Sequence, residues 1–180
     1  LQPQILQSMK YLLFLSLFFS INLHAQYKNK WDVNNPKGPY KNFTFTVDEG
    51  TWMNVDVSPD GKEIAFDLLG DIYTMSITGG QARCIRSGLA MEVQPRFSPD
   101  GQQLLFTSDA GGGDNIWKMD KDGSNAKQIT KESFRLLNNA VWTHDGQYII
   151  ARKHFTSHRS LGAGELWIYH TSGGDGLQLT

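Results

Sequence analysis

Short apolar runs alternate with polar turns along most of the chain, and the alternation itself comes round three times. Ile64-Ala65-Phe66, Leu104-Leu105-Phe106 and Ile149-Ile150-Ala151 each follow a related tetrapeptide: Ser58-Pro59-Asp60-Gly61, Ser98-Pro99-Asp100-Gly101 and Thr143-His144-Asp145-Gly146. A second apolar-aromatic run comes next in each case (Ile72 to Met75, Ile116 to Met119, Leu166 to Tyr169). A glycine-bearing turn then leads to a third short segment ending at Arg86, Thr130 or Thr180. Asp60, Asp100 and Asp145 thus recur at intervals of about 40–45 residues, the period of a β-propeller blade made of four short strands. The pattern predicts an all-β chain, a β-propeller of four-stranded blades. About three blades are present, over residues 50–86, 92–130 and 138–180, in an incomplete ring.

Aspartate followed by glycine between apolar runs predicts a tight hairpin with both central residues at positive φ. Asp60-Gly61, Asp100-Gly101 and Asp145-Gly146 are therefore expected at equivalent turns. Phe66, Phe106, Tyr73, Trp117 and Trp167 recur in register and should fill the space between neighbouring sheets, as should Trp52 and Trp142. Phe43-Thr44-Phe45-Thr46-Val47 alternates apolar with polar and predicts a half-buried strand ahead of the first blade. Residues 26–42 read as an irregular lead-in, so the propeller is expected over 43–180.

The N-terminal pattern is different. Lys10 precedes an apolar run over residues 11–21 broken only by Ser16 and Ser20. A charge, a short apolar stretch and a small residue describe a secretory signal, with cleavage expected after Ala25 and export to the periplasm or medium. The run is too short for a membrane-spanning helix. Residues 1–8, ahead of Met9, read as upstream of the true start. Charge adds little: 17 basic and 18 acidic residues nearly cancel, which gives no electrostatic basis for nucleic-acid binding. The single cysteine, Cys84, leaves an exported chain without an internal disulfide, so sheet packing must supply the stability. Three blades cannot close a ring, and the chain is expected to be the front of a longer protein.

Candidate chemistry concentrates between the first and second apolar runs of the third repeat. The connection there is longer than in the other two repeats and carries Lys153, His154, His158, Arg159 and Glu165. Such insertions map to one face of a repeat array, so this loop is expected at an interface or a channel mouth. His154 and His158 are four apart, but the glycines at 162 and 164 indicate a loop rather than a metal-binding helix. Asp120-Lys121-Asp122-Gly123 begins like a calcium loop, yet the twelfth position is Lys131 and strands flank it, so a hairpin turn is expected. Gly111-Gly112-Gly113 matches neither a dinucleotide fingerprint nor a phosphate loop. No Gly-x-Ser-x-Gly is present. Asn42-Phe43-Thr44 matches a glycosylation triplet that arises readily by chance.

With its turns, strands and the Gln128-Ile129-Thr130 and Gln178-Leu179-Thr180 endings laid out, the repeat resembles the WD-like propeller repeats of the TolB family, departing from it at Thr143-His144 and at Arg86. The stretches Gly50-Thr51-Trp52-Met53, residues 67–73, Gln94-Pro95-Arg96-Phe97-Ser98, residues 152–157 and residues 160–165 are similar to a narrower group: N-terminal propellers of exported proteins in the amidohydrolase superfamily. That resemblance implies a non-catalytic propeller serving substrate access, docking or scaffolding. Its partner would be a downstream catalytic domain of the same chain, with a peptide or small molecule as substrate. A divalent metal, such as zinc, would sit in that downstream domain and none in this chain. A periplasmic TolB-like binding propeller, or the propeller of a prolyl-oligopeptidase or tricorn-type peptidase, are the alternatives.

Overall fold

Twelve strands arise where the apolar alternation places them. In a computed structural model, which describes residues 32–155 and 164–180, they form three four-stranded antiparallel sheets in chain order. The first holds β1 (Val55–Val57), β2 (Glu63–Leu68), β3 (Asp71–Ser76) and β4 (Arg83–Arg86). The second holds β5 (Glu92–Phe97), β6 (Gln103–Ser108), β7 (Asn115–Asp120) and β8 (Lys127–Gln128). The third holds β9 (Leu137–Trp142), β10 (Tyr148–His154), β11 (Gly164–His170) and β12 (Leu177–Gln178). Each sheet is one blade, and the all-β prediction holds throughout the described residues. No helix among them is long and apolar enough to cross a membrane.

Side chains alternate across a strand, so a blade with a neighbour on each side buries both of its faces. Leu104 and Leu105, adjacent on β6 of the middle blade, are both completely buried because they face opposite ways. Leu104 and Phe106 join Ala65, Ile72, Phe97 and Met119 in the core between the first two blades. Leu105 joins Ile116, Leu137, Ala140, Ile149 and Tyr169 in the core between the second and third. Trp117 packs against the first of these clusters, and Trp142 and Trp167 against the second. Phe66 and Tyr73 instead stack on each other, centroids 5.6 Å apart, on the face of the first blade turned away from the second.

Three expectations are corrected. At the repeated turns only the glycines take positive φ: Gly61 at 71°, Gly101 at 69° and Gly146 at 68°. Pro59 and Pro99 hold the second turn position near −65°, which rules out the mirror-image turn and leaves a type I turn. The amides of Gly61, Gly101 and Gly146 each donate to the carbonyl three residues back. Phe43 to Val47 forms no strand, and Phe43 is exposed. A strand requires a neighbouring backbone to bond, and none of the described strands pairs with this segment. Trp52 is 99% exposed rather than packed between blades, at a bend where its own φ is 58°.

The turns owe their shape to a hydroxyl that the pattern did not reveal. Ser98 Oγ donates to Asp100 Oδ1 at 2.6 Å and accepts from the Gln103 amide at 2.9 Å. Ser58 with Asp60, and Thr143 with Asp145, repeat the arrangement, so the divergent third tetrapeptide keeps the same network. The Ser98 hydroxyl, then the Gln102 amide, hold the Asp100 carboxyl below its usual range. A depressed folded-state pKa stabilises the fold above the ordinary aspartate value, and that contribution is lost as pH falls through the folded value. Ser98→Ala is expected to cost about 1–2 kcal/mol at pH 7 and to shrink the acid-side loss. Urea midpoints measured from pH 7 down to pH 2 check both.

Candidate functional site

Three of the polar residues singled out in the third blade, Lys153, His154 and Glu165, lie on the β10–β11 ladder, where Lys153 pairs with Glu165 and His154 with Gly164. Lys153 and His154 are therefore the end of a strand, not loop residues, and both are buried. Lys153 Nζ donates to Glu132 Oε1 at 2.8 Å and sits 3.8 Å from the centre of the Trp167 ring. Tyr169 OH donates to the same Glu132 oxygen at 3.0 Å. Burial first, and the Glu132 charge second, push the Tyr169 phenol far above its ordinary value.

Glu165 Oε2 accepts from Trp167 Nε1 at 2.8 Å and from Arg135 at 2.7 Å. These bonds hold its carboxyl below the usual glutamate value. Arg135 Nε also donates to the His154 carbonyl, and Asn138 Nδ2 donates to His154 Nε2 at 2.9 Å. Glu132 and Arg135 lie on the connection between β8 and β9. The cluster thus clamps that connection onto the third blade, and its charges are consumed by the fold. His158 and Arg159 lie outside the described residues. The turn residues Asp60, Asp100 and Asp145 are likewise committed to their own loops. Among the described residues no group of three or more His, Cys, Asp or Glu is placed to hold a metal ion. Asp120 accepts from Asn125, and Asp122 from Ser124, as a hairpin turn requires.

An open site lies at one end of the first two blades, where β2 turns into β3 and where β4 passes to β5. It is a cavity of about 480 Å³. Asn54, Asp67, Gln94, Thr107 and Asn138 form its polar part, and Trp52, Leu69, Leu89 and Met91 its apolar rim. The rim side chains are 99, 77, 57 and 45% exposed in that order. Exposed apolar groups gathered around a cavity mark an interaction site more strongly than the same residues scattered.

The polar floor is built by a bulge. Pro95 cannot donate to a ladder, and the register of β5 with β6 shifts between Val93 and Arg96. Gln94 takes φ 62° there. Buried Asp67 holds it: Oδ2 accepts from the Gln94 amide at 2.6 Å and from Asn54 Nδ2 at 2.8 Å, while Oδ1 accepts from the Asn54 amide at 3.0 Å. Gln94 Oε1 then accepts from Thr107 Oγ1 at 3.0 Å and from the Asn139 amide of the third blade at 2.8 Å. One chain of hydrogen bonds therefore runs Asp67, Gln94, Asn139 across all three blades.

Glu92 sits beside this site, buried, with Oε1 on Arg86 Nε at 2.8 Å and Oε2 without a partner among the described residues. Burial pushes its carboxyl up against the opposing pull of Arg86. Sequence reasoning did not single out Asp67, Gln94, Asn138 or Glu92 as site residues. The available signals were an aspartate on the same strand face as Ala65 and a proline inside an otherwise regular strand. A second groove, of about 430 Å³, lies at the opposite end among Pro59, Pro99, Arg96, Trp142 and His144.

Comparison with known proteins fits this architecture. An uncharacterized protein of Agrobacterium fabrum is 35% identical over 81 residues, which is 43% of this chain and 28% of that protein. The Tol-Pal system protein TolB of Bordetella pertussis is 39% identical over 59 residues, 32% of this chain and 14% of that protein. The chain therefore matches less than a third of the length of these relatives. The crystal structure of TolB from Acinetobacter baumannii superposes with a TM-score of 0.60 at 26% identity, covering 73% of this chain and 33% of that one. The family model described as the TolB beta propeller domain matches residues 44–175, most of the chain, and the chain belongs to that family.

Proposed function

We propose that this propeller is a docking module of an exported protein and that its cavity-bearing end is the docking face. The observation that carries this reading is the apolar rim of Trp52, Leu69, Leu89 and Met91 around a floor whose one carboxylate is already satisfied. The stretches similar to amidohydrolase-associated propellers support the further reading of the parent. Trp52, Asp67, Leu69, Gly70, Gln94 and the neighbouring connection all line that cavity. In this reading a downstream amidohydrolase-like domain of the same chain carries the metal, zinc being the fitting ion. It performs hydrolysis while the propeller scaffolds it and controls access. A periplasmic protein-binding propeller without a hydrolase is the second reading, favoured by the 39% identity to a TolB protein.

The continuation of the reading frame, followed by assay of the whole protein and of this chain, tests the proposal. Expected are a His-x-His motif after a strand, metal-dependent amide hydrolysis by the whole protein and none by this chain. A stop codon after a few more blades supports the second reading. A Gly-x-Ser-x-Gly elbow overturns both in favour of a serine peptidase.

A further inference from the structure

Two amide side chains lining the cavity, Gln94 and Asn138, have orientations set by their other bonds. Gln94 Oε1 is occupied twice, by Thr107 Oγ1 and the Asn139 amide. Its orientation is thereby fixed, and Nε2 donates to no partner among the described residues. Asn138 is fixed the opposite way: Nδ2 donates to His154 Nε2, and among the described residues Oδ1 has only a long 3.5 Å contact from Asn139. Both side chains line the same cavity, and a donor and an acceptor on one wall complement the carbonyl and N–H of an amide. Among the described residues the only charged one lining the cavity is Asp67, and its two oxygens already receive three N–H groups. Charged ligands therefore find no counterion here. Burying an unpaired charge is costly. The exposed rim, with Trp52 at its edge, offers area for an apolar side chain.

We propose that this cavity is a peptide subsite. It takes an uncharged, extended segment, holds one backbone amide between Gln94 Nε2 and Asn138 Oδ1, and covers an adjacent apolar side chain with Trp52 and Leu89. The inference rests on the docking reading and narrows it to a peptide. A cavity of about 480 Å³ lies within the range of sites that enclose a small ligand or a few residues.

The test is titration calorimetry on the full-length protein with blocked tetrapeptides, acetylated and amidated, carrying Leu, Phe, Glu or Lys at the second position. Leu and Phe peptides are expected to bind, and Glu and Lys peptides at least about tenfold more weakly. Trp52→Ala should weaken the Leu and Phe peptides about tenfold, and its side chain is too exposed for the change to unfold the blade. Gln94→Glu keeps the acceptor used by Thr107 and Asn139 but removes the donor, and should weaken the same peptides by a similar factor. The proposal is overturned if Glu or Lys peptides bind as well as Leu peptides, if neither variant weakens binding, or if maltotetraose binds and no peptide does. Docking itself is read separately, from protection of residues 88–94 against hydrogen exchange in the full-length protein. Protection there without peptide binding would overturn the peptide subsite and leave the docking face standing.

Discussion

Asp67→Ala is expected to lower the unfolding free energy by about 3–5 kcal/mol, among the largest effects of any polar substitution in the chain. The carboxylate is buried between the first two blades and answers three donors, two on Asn54 and one on Gln94. Removing it leaves the half-buried Asn54 and Gln94 donors without the acceptor that fixes them. Each buried unsatisfied donor costs about 1–3 kcal/mol. Gln94 would also lose the bond that stabilises its left-handed backbone, a conformation costing about 1–2 kcal/mol for a residue with a Cβ. Asp67→Asn keeps one acceptor oxygen and should recover part of the loss. Urea unfolding of the two variants separates the acceptor geometry from the charge. Equal losses would show that the charge, not the hydrogen-bond geometry, is what the site requires.

Leu105→Ala should cost a similar amount, about 3–5 kcal/mol, for a different reason. Leu105 is fully buried between the second and third blades, in contact with a cluster drawn from several strands. The strands around it are pinned by their ladders, so the cavity left by the missing methyl groups cannot close. Against a typical total stability of about 5–15 kcal/mol, this loss is large enough to register as a strong drop in melting temperature. Leu105→Ile changes shape while keeping volume and should cost about 1 kcal/mol. Calorimetric melting of the pair provides the check: a small effect for Ala would mean that the second and third blades do not share a rigid core.

Blade number, strand order and the positions of the hairpins were legible in the sequence because they depend on local period. Turn residues and apolar alternation recur whether or not the blades touch. The site was less legible because it depends on contacts between blades. Asp67 sits next to Phe66 in an apolar run, and nothing local says that its oxygens meet Gln94, 27 residues away. The bulges at Gln94 and Asn139 and the clamp of Glu132 and Arg135 on the third blade are likewise products of packing. Lys153 and His154 looked like loop residues because the long insertion comes directly after them, yet the β10–β11 ladder continues through both before the chain leaves the sheet. Trp52 looked like core because most tryptophans are, whereas here it stands at the rim of the cavity.

The docking face is tested most directly by site-specific photocrosslinking in the full-length protein, with p-benzoylphenylalanine at Leu89 on the cavity rim and, separately, at His144 beside the opposite groove. Both side chains are exposed. The account predicts a crosslink from position 89, to a downstream segment of the same chain or to a bound protein, and none from position 144. Crosslinking from 144 with none from 89 would contradict it.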